Sequence, residues 1–436
     1  MKQINEIITK PERKETVLQF GEGGFLRGFV DWMFQKLNDS GSYSGSVVVV
    51  QPIETGMCAR LEQQNCLYTH IMRGMQGGRP VVELNTIDVI SRCINPYEDF
   101  DAYLKLAENP DLRVIVSNTT EAGITYCETD KPTDRPPKSY PAKLAVFLYR
   151  RYELGLPGFI LLPCELIDRN GERLKEIVLR YAREWKLKDG FSDWLERENT
   201  FNCTLVDRIV TGFPKDEDMQ LGYTDEMLDT SELFHLWVIE GDKCQAEELP
   251  FDKIGLNVIW TDDLEPYRTR KVRILNGAHT ALVPYAMLQG FHTVRDCIEN
   301  AEMLAYIKKC VFEEIIPTLD LPEDELTAYA NDVMERFANP FIRHYLSSIA
   351  LNSVSKFKVR VLPSILEYQK RFDSLPPTLV QAFAALIRFC RTDMANDGPE
   401  VLKFMKTASV ADILKNTSLW GMDLSFLYEE VMRYEN

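Results

Sequence analysis

Short apolar runs that alternate with helical stretches are the feature that most limits what this chain can fold into. The runs have strand length, are rich in β-branched residues and end at Gly, Pro or polar residues. They occupy positions 16–20, 47–50, 114–116, 159–162, 234–240 and 257–260. The helical stretches between them lie around 98–108, 140–154 and 171–186. Because fully apolar runs are typical of strands buried on both faces of a parallel sheet, the alternation predicts a Rossmann-like, doubly wound α/β domain.

The 16–20 run leads into a glycine-rich turn and then into a helical stretch at 29–37. This order describes the first unit of a dinucleotide-binding fold, whose glycines let the backbone approach a pyrophosphate at a helix N-terminus. Leu26 stands where the G-x-G-x-x-G pattern has its third glycine, so we expect a wider helix approach or a turn of different shape. A glycine loop of this kind, taken alone, is more often an ordinary turn. The positions predicted to bind the dinucleotide are Phe20, Gly21, Glu22, Gly23, Gly24, Phe25, Leu26 and Arg27, the last as a charge for the phosphates.

The end of the 47–50 run bears on the choice between NAD and NADP. An acidic residue there would bond the adenosine ribose, whereas an arginine would accept the 2′-phosphate of NADP. Gln51 is neither, and Glu54 lies beyond Pro52. Because no basic residue occurs between positions 47 and 57, the sequence favours NAD.

The loop after the 114–116 run contains three polar residues that could line the nicotinamide side of the same site. They are Asn118, Thr119 and Thr120. Because Asn and Thr are also common in turns that bind nothing, an ordinary turn is the alternative interpretation of this loop.

Beyond residue 262 the sequence changes to long helical patterns. These patterns cover 267–289, 298–315, 323–337, 341–351, 361–371, 376–391 and 398–415. We therefore predict a Rossmann-like NAD-binding domain over 1–262 and a mostly α-helical substrate and catalytic domain over 263–436. Pro284 lies inside the first pattern and is expected to kink that helix.

The first of these helices carries three different polar functions. At about 100° per residue, Lys271, His279 and Asn276 fall at roughly 0°, 80° and 140° around an α-helix whose apolar positions have amphipathic spacing. A lysine that can give up a proton, an amide donor and an imidazole suit a carbonyl whose oxygen becomes negative during reaction. The alternative is a solvated face that carries ordinary polar residues.

The formal net charge of −16 restricts the partners of the chain. Nucleic acids and anionic membranes both require a basic patch, so neither is expected. A hydrophobic content of 45% and 436 residues are typical of a soluble protein with two or three domains. The N-terminus resembles no signal peptide, and no run approaches the ~18 apolar residues of a membrane helix. The sequence leaves the oligomeric state open.

The ten cysteines and five histidines indicate no metal site. The cysteines include no C-x-x-C pair, and the histidines are too far apart for zinc-ligand spacing. We interpret the cysteines as reduced, mostly buried thiols of a cytoplasmic protein.

The segments discussed above resemble the polyol-specific long-chain dehydrogenase family, which includes the mannitol dehydrogenases. The family signature K-x-x-x-x-N-x-x-H is matched by Lys271, Asn276 and His279. Similar segments extend from residue 16 to 365, and the last part of the chain matches less clearly. The resemblance implies an NAD-dependent reductase, and the branch that it fits best interconverts D-tagaturonate and D-altronate in hexuronate breakdown.

The resemblance also implies a role for each signature residue. Lys271 would protonate the ketone oxygen when NADH delivers hydride, Asn276 would donate to the developing alkoxide, and His279 would orient a substrate hydroxyl and support the lysine. Four further substrate contacts are implied, at Asp207, Glu165, Arg343 and Lys356.

Two of those contacts, Lys356 and Arg343, could pair with a uronate carboxylate, which a neutral polyol lacks. For Arg343 a surface ion pair is an equal alternative. Leu166 stands where mannitol-type members have an asparagine, so a second donor to the oxyanion is absent or comes from elsewhere.

Two kinds of alternative remain open at this stage. One keeps the chemistry and changes the substrate, as in a fructuronate reductase or a mannitol-type 2-dehydrogenase. The other is a dinucleotide-sensing binding protein without catalysis, against which the intact Lys271, Asn276 and His279 argue.

Overall fold

The computed structural model describes residues 1–215 and 217–435 and divides into two compact units. The N-terminal unit comprises Met1–Arg73 and Val82–Leu264, and the C-terminal unit comprises Gly74–Val81 and Glu265–Asn436. None of the helices formed by the described residues has both the length and the apolar character needed to cross a membrane.

Twelve strands lie in the described ranges, and we number them β1 to β12 in chain order. Their bounds are Glu15–Phe20, Ser46–Val50, Tyr68–Gln76, Arg79–Ile87, Ile90–Ile94, Val114–Ser117, Ile160–Pro163, Thr200–Phe201, Thr204–Asp207, Asp229–Ser231, Leu236–Glu240 and Val258–Thr261. All six predicted strand runs are confirmed, and their ends differ from the prediction by one or two residues.

Six strands form a parallel sheet in the order β5-β2-β1-β6-β7-β8. β1 pairs with β2 on one side and with β6 on the other, so the strand order reverses beside β1. Ligands of open α/β sheets bind outside the carboxyl ends of the strands at such a switch point. The predicted doubly wound domain is therefore confirmed, and its switch point lies at the glycine turn after β1.

The two faces of this sheet explain why its strands are apolar throughout. Val17, Val47 and Val49 belong to one buried cluster, whereas Leu18 and Val48 belong to the cluster on the other face. Because successive side chains of a strand point to opposite faces, a sheet covered on both sides needs apolar residues at every position.

Two three-stranded sheets complete the set, in the orders β10-β3-β4 and β12-β11-β9. β3 and β4 were not among the predicted strands, although Gly77 and Gly78 separate them with φ values of +58° and +75°. Two glycines between extended runs are a hairpin signal, because both central residues of the tight turn need positive φ.

The helices of the N-terminal unit cover the main sheet. The α-helices are Gly24–Leu26, Trp32–Asp39, Cys58–Gln63, Phe100–Lys105, Tyr140–Glu153, Asn170–Glu184, Phe191–Arg197 and Lys243–Glu248, with a π-helical turn at Arg27–Asp31 and 3₁₀ turns at Ile4–Glu6, Leu106–Glu108 and Asp252–Ile254. Ser139 begins one of the predicted helices, because its hydroxyl accepts a hydrogen bond from the Ala142 amide. Gly155, with φ of +64°, follows the end of this helix, as glycine often does.

The described residues of the C-terminal unit are mostly helical. The α-helices are Glu265–Arg270, Gly277–Leu288, Val294–Glu299, Ala301–Lys308, Glu323–Phe337, Leu346–Ile349, Ser353–Arg360, Leu362–Phe372, Pro377–Cys390, Pro399–Thr407, Val410–Lys415, Thr417–Trp420 and Tyr428–Met432. π-helical turns occupy Lys271–Asn276 and Lys309–Ile315, and 3₁₀ turns occupy Ile316–Thr318 and Ser425–Leu427. The predicted mostly helical character is confirmed.

The Gly277–Leu288 helix is the centre of this unit. It packs against Pro377–Cys390, Ser353–Arg360 and Leu346–Ile349, and its residues from Gly277 to Pro284 are all buried. The amphipathic prediction is therefore wrong for this helix, because neighbouring helices cover it on every side.

The predicted helix over 341–351 is wrong in its first half. The Val294 amide donates to the His344 carbonyl oxygen and the Leu346 amide donates to the His292 carbonyl oxygen, at 3.0 and 2.9 Å. These bonds to another segment use backbone groups that a helix would bond internally, so only Leu346–Ile349 is helical.

Candidate functional site

Gly21 forms the tight turn after β1. Its φ is +120°, and a Cβ built on it would lie 2.9 Å from the Asn118 carbonyl oxygen. Both facts exclude any larger residue without movement of the backbone. A Cβ on Gly23, by contrast, would meet nothing within 4 Å, so the backbone here is open to the approach of a ligand.

The turn compensates for the missing third glycine by its shape. Leu26 is buried, and its Cδ1 atom would be 3.3 Å from a Cβ on Gly21. The following π-helical turn, Arg27–Asp31, contains Gly28, whose added Cβ would lie 3.2 Å from Asp229 Oδ2. The expected turn of different shape is therefore confirmed, and Gly28 provides the close approach that the third glycine provides in the standard pattern.

Arg27 lies in the interior of the N-terminal unit. Its guanidinium donates to the carbonyl oxygens of Glu22, at 3.1 Å, and of Met227, and lies 5.1 Å from the centre of the Tyr68 ring. These contacts hold the turn against β3 and the loop before β10. A contact between Arg27 and phosphates stays a prediction.

Buried charges lie directly beneath the glycine turn. Burial raises the pKa of Asp31 to about 7 and that of Asp229 to about 6, while burial lowers the pKa of Arg208 to about 9. Arg208 donates to the Gly28 carbonyl oxygen at 2.9 Å and so fixes the helix that follows the turn. Sequence reasoning missed these residues, since they come from separate segments and match no motif.

The Asn118–Thr120 loop lies beside the glycine turn, as the topology requires. The Asn118 amide donates to the Phe20 carbonyl oxygen at 3.1 Å, and its side chain donates to the Cys164 carbonyl oxygen at 3.0 Å. Thr120 has a φ of +70°, an uncommon value for a residue with a side chain, and such values occur often at functional sites.

Glu165 organises this loop. Its buried carboxylate accepts hydrogen bonds from the Thr119 amide and hydroxyl, both at 2.9 Å, and from the Ser117 hydroxyl at 3.1 Å. Burial raises the pKa of Glu165 in spite of these donors. The observed contacts are structural, and the substrate contact implied by the family resemblance stays a prediction.

The residues after β2 form an ordered segment at the predicted adenosine end. The Gln51 side-chain amide donates to the carbonyl oxygens of Ile53 and Glu54 at 2.9 and 3.1 Å. The Met57 amide donates to the carboxylate of Glu22 at 3.1 Å, which joins this segment to the glycine turn. Asp207, another predicted substrate contact, is the buried last residue of β9.

Lys271 and Asn276 are the first and last residues of a π-helical turn. In such a turn the hydrogen bonds run from residue i to i+5, so the angle between the two residues is smaller than the roughly 140° that an α-helix would place between them. Both side chains are half-buried. A Cβ on the adjacent Gly277 would lie 3.1 Å from the Arg360 carbonyl oxygen, which explains the glycine after Asn276.

His279 is buried and neutral. Burial, followed by the charges of His344, Arg336 and Arg360, holds the pKa of His279 well below its usual value of 6.5. Nε2 is buried and lacks a hydrogen-bond partner among the described residues. A neutral imidazole donates from one ring nitrogen and accepts at the other.

Aromatic and cationic groups surround the His279 ring. The Phe337 and His344 rings lie 4.3 and 4.9 Å from it, measured between centroids. The influence of Arg336 and Arg360 on its pKa shows that the surroundings are positively charged. Sequence reasoning missed His344, Arg336 and Arg360, because they lie far from the signature along the chain.

Lys356 lies on the Ser353–Arg360 helix, which packs against the signature helix. Its ammonium donates to the Ile349 carbonyl oxygen at 2.9 Å. Burial and the charge of Arg360 lower the pKa of Lys356. Arg343 is exposed and adjoins His344. The C-terminal unit thus gathers the three signature residues with two of the predicted substrate residues, whose roles stay predictions.

The chain belongs to the mannitol dehydrogenase family. Residues 15–253 match the Mannitol dehydrogenase Rossmann domain, and residues 263–431 match the Mannitol dehydrogenase C-terminal domain. The fold is shared with D-sorbitol dehydrogenase in its substrate-free form, at a TM-score of 0.84, 22% identity and coverage of 100% of this chain and 97% of that one. It is also shared with Pseudomonas fluorescens mannitol 2-dehydrogenase in its complex with NAD and D-mannitol. That comparison has a TM-score of 0.70 and 22% identity, and it covers 98% of this chain and 92% of that one.

Within the family, the chain is similar to proteins named altronate oxidoreductase. The protein from Yersinia enterocolitica serotype O:8 / biotype 1B is 46% identical over 439 residues, which cover 94% of this chain and 91% of the relative. The protein from Bacillus subtilis strain 168 is 47% identical and covers 94% and 89%, and that from Shigella flexneri is 51% identical and covers 86% and 80%.

Proposed function

We propose that this protein is an NAD-dependent oxidoreductase that interconverts D-tagaturonate and D-altronate by hydride transfer. The observation that carries the proposal is the neutral, buried His279, whose Nε2 atom has no hydrogen-bond partner among the described residues, in the same helical segment as Lys271 and Asn276. The relatives named altronate oxidoreductase, at 46% to 51% identity, support the substrate.

The glycine turn fits a dinucleotide. Gly21 makes the turn that only glycine permits, and the backbone at Gly23 is open on its outer side. The amides at the start of the helix that begins at Gly24 suit the pyrophosphate. Segment 51–57 contains no basic residue, which favours the free ribose of NAD over the phosphorylated ribose of NADP. NADH, when bound, supplies the hydride.

The signature residues supply the proton and stabilise the charge. As hydride reaches the ketone carbon, negative charge collects on the ketone oxygen, and the Lys271 ammonium gives that oxygen a proton. The Asn276 amide donates a hydrogen bond to the same oxygen. Nε2 of His279 accepts a hydrogen bond from a substrate hydroxyl or from the lysine. In the oxidative direction, neutral Lys271 removes the hydroxyl proton.

The charges around His279 favour an anionic substrate. The protein carries a net charge of −16, yet Arg336, Arg360 and Lys356 lie near the signature helix. A uronate carboxylate would gain charge-assisted hydrogen bonds from such groups, whereas a neutral ketose would not. This local reversal of charge supports a keto-uronate over fructose.

The test compares the rates at which three substrates oxidise NADH, measured by the absorbance of the nicotinamide. We expect the largest kcat/KM for D-tagaturonate, a smaller value for D-fructuronate, and little or no turnover of D-fructose. The first difference tests the stereochemistry, and the second tests the carboxylate. Turnover of fructose alone would reject the keto-uronate assignment, and a preference for fructuronate would move the protein to the neighbouring activity of the same family.

A further inference from the structure

Three thiols and a carboxylate meet at the edge of the main sheet, outside the site described above. Cys58 and Glu62 lie one turn apart on the Cys58–Gln63 helix, Cys66 follows that helix, and Cys93 lies on β5, the edge strand of the sheet. We call these four residues the thiol cluster. It joins positions up to 35 residues apart, so no local sequence motif could show it.

The geometry of the thiol cluster suits a tetrahedral metal ion. One ligand atom each of Glu62, Cys66 and Cys93 lies within 4.8 Å of the others, and the two thiol sulfurs are 3.7 Å apart. Sulfurs bound to zinc at ≈ 2.3 Å with tetrahedral angles would be roughly 3.8 Å apart. Cys58 adjoins Cys93 but stands outside this group of three ligand atoms.

The protein holds these ligands in place through its backbone. Asn65 and Cys66 both have positive φ, of +56° and +58°, which is unfavourable for residues with side chains. The Glu62 carboxylate is oriented by the Cys93 amide, which donates to its Oε1 atom at 2.5 Å. The same Oε1 atom accepts a hydrogen bond from the Cys66 thiol at 3.5 Å.

The surroundings of the thiol cluster balance the charge that thiolates would bring. The ammonium of Lys10 donates to the carbonyl oxygens of Asn65, Ile90 and Ser91. Arg92 forms an ion pair with Glu15 at 2.7 Å. The negative charges of Glu15 and then of Glu62 raise the pKa of Arg92. Two cations therefore lie beside a group of ligands that would retain negative charge after binding a divalent ion.

We propose that Glu62, Cys66 and Cys93 bind a thiophilic divalent cation, with zinc as the expected ion. Three protein ligands leave the fourth tetrahedral position to a further ligand such as water. Soft thiolates select zinc over magnesium or calcium. Thiols must lose their protons to bind a metal ion, so binding releases protons and weakens as the pH falls.

The metal would brace the segment that follows β2. The Cys58 backbone amide donates to the side-chain oxygen of Gln51 at 3.4 Å. The side-chain nitrogen of Gln51 in turn donates to the carbonyl oxygens of Ile53 and Glu54. An ion held by Glu62 and Cys93 therefore fixes this helix relative to β5. We expect the bound ion to raise the melting temperature of the full-length protein.

The experiment measures metal content and then replaces the metal. The full chain, purified under reducing conditions without chelator, is analysed by mass spectrometry of the elements, and we expect one zinc ion per chain. After the zinc is removed, Co²⁺ is added as a probe. A thiolate-to-cobalt charge-transfer band together with the visible bands of tetrahedral cobalt would identify the ligands in the unmodified sequence.

Two variants and a matched control locate the site. Cys66→Ser and Cys93→Ser should each weaken Zn²⁺ binding by at least on the order of 100-fold, since each removes a direct ligand. Cys127→Ser replaces a cysteine of similar partial exposure away from the thiol cluster and should retain the metal. The cobalt spectrum keeps the test decisive if a variant fails to fold.

Three results would overturn the proposal. The first is a chain that neither contains zinc nor takes up Zn²⁺ or Co²⁺ after reduction. The second is metal content that survives both substitutions in folded protein. The third is a Cys66–Cys93 disulfide in freshly purified protein without metal, which would make the same sulfur contact a redox pair. None of these results depends on turnover, so they leave the proposed function untouched.

Discussion

His279 shows how the surroundings of one residue determine its chemistry. Its Nε2 atom is buried and has no hydrogen-bond partner among the described residues. Because the pKa of His279 is held well below 6.5, the ring stays an acceptor at neutral pH instead of a second cation beside Lys271. An acceptor can orient a hydroxyl or the lysine ammonium, whereas an imidazolium would repel the latter.

Lys271 is expected to be the proton donor, and its removal tests this at the residue scale. Lys271→Ala should lower kcat for tagaturonate reduction by on the order of 10²–10⁴-fold, the usual contribution of a general acid. Binding of NADH, measured by fluorescence titration, should remain unchanged. Lys308→Ala removes an exposed lysine of the same unit and serves as the control. Full turnover by Lys271→Ala would reopen the sensor alternative.

Lys356 is expected to act on the substrate carboxylate. Lys356→Ala should raise KM for tagaturonate by roughly 10-fold or more, because a charge-assisted hydrogen bond contributes about 1.5–3 kcal/mol. Its kcat should change less than its KM. Lys358→Ala changes a lysine on the same helix and is the control. An equal loss for both variants, or a loss confined to kcat, would contradict a contact with the carboxylate.

At the scale of elements, two π-helical turns each change which side chains share a face of a helix. Arg27–Asp31 follows the glycine turn, and Lys271–Asn276 carries two signature residues. Each adds a residue to a helical turn and changes which side chains share a face, and such turns occur often at functional sites. In the first case the wider turn brings Gly28 against Asp229. In the second it reduces the angle around the helix between Lys271 and Asn276.

The glycine turn can be tested by a pair of alanine substitutions. Gly21→Ala introduces a Cβ at a φ of +120°, 2.9 Å from a backbone oxygen, whereas Gly41→Ala does so at +73° in open space. We expect about 1 kcal/mol of destabilisation for Gly41→Ala and a clearly larger loss for Gly21→Ala. Urea denaturation measures both. Equal losses would mean that the turn tolerates the contact with Asn118.

At the scale of the whole molecule, buried carboxylates should make stability depend on pH. Burial raises the pKa of Asp31 from 3.8 to about 7, so the folded protein holds this proton more tightly than the unfolded chain. The stabilisation is complete below pH 3.8 and is lost as the pH rises toward 7. Asp31→Asn removes the charge, and its advantage over the native protein should therefore be larger at pH 8 than at pH 5.

The size and control of this effect can be stated. A shift of one pKa unit corresponds to about 1.4 kcal/mol, so the advantage of Asp31→Asn should grow by at least about 1 kcal/mol between the two pH values. Urea denaturation at both pH values measures it. Asp39→Asn changes an exposed carboxylate at the end of the same helix and should show no such growth. An unchanged difference for Asp31→Asn would mean that the carboxylate is charged in the folded state at both pH values.

The apolar runs and the glycine turn were sufficient to predict the doubly wound domain, because backbone geometry and burial act locally on such patterns. Val47 to Val50 could only suit a strand covered on both faces, and Gly21 could only suit a turn with positive φ. The signature spacing of Lys271, Asn276 and His279 likewise indicated a carbonyl chemistry before any coordinates.

Tertiary structure alone decided what those residues do in their surroundings. Four features depend on residues that are distant along the chain. They are the lowered pKa of His279, the cations near it, the acids beneath the glycine turn and the thiol cluster. Local periodicity contains no information about which segments meet, because desolvation and charge act through space rather than along the backbone. For the same reason His344 is not helical as predicted. Its carbonyl oxygen accepts a hydrogen bond from Val294 and the Leu346 amide donates to His292, and neither bond could be inferred from the neighbouring sequence.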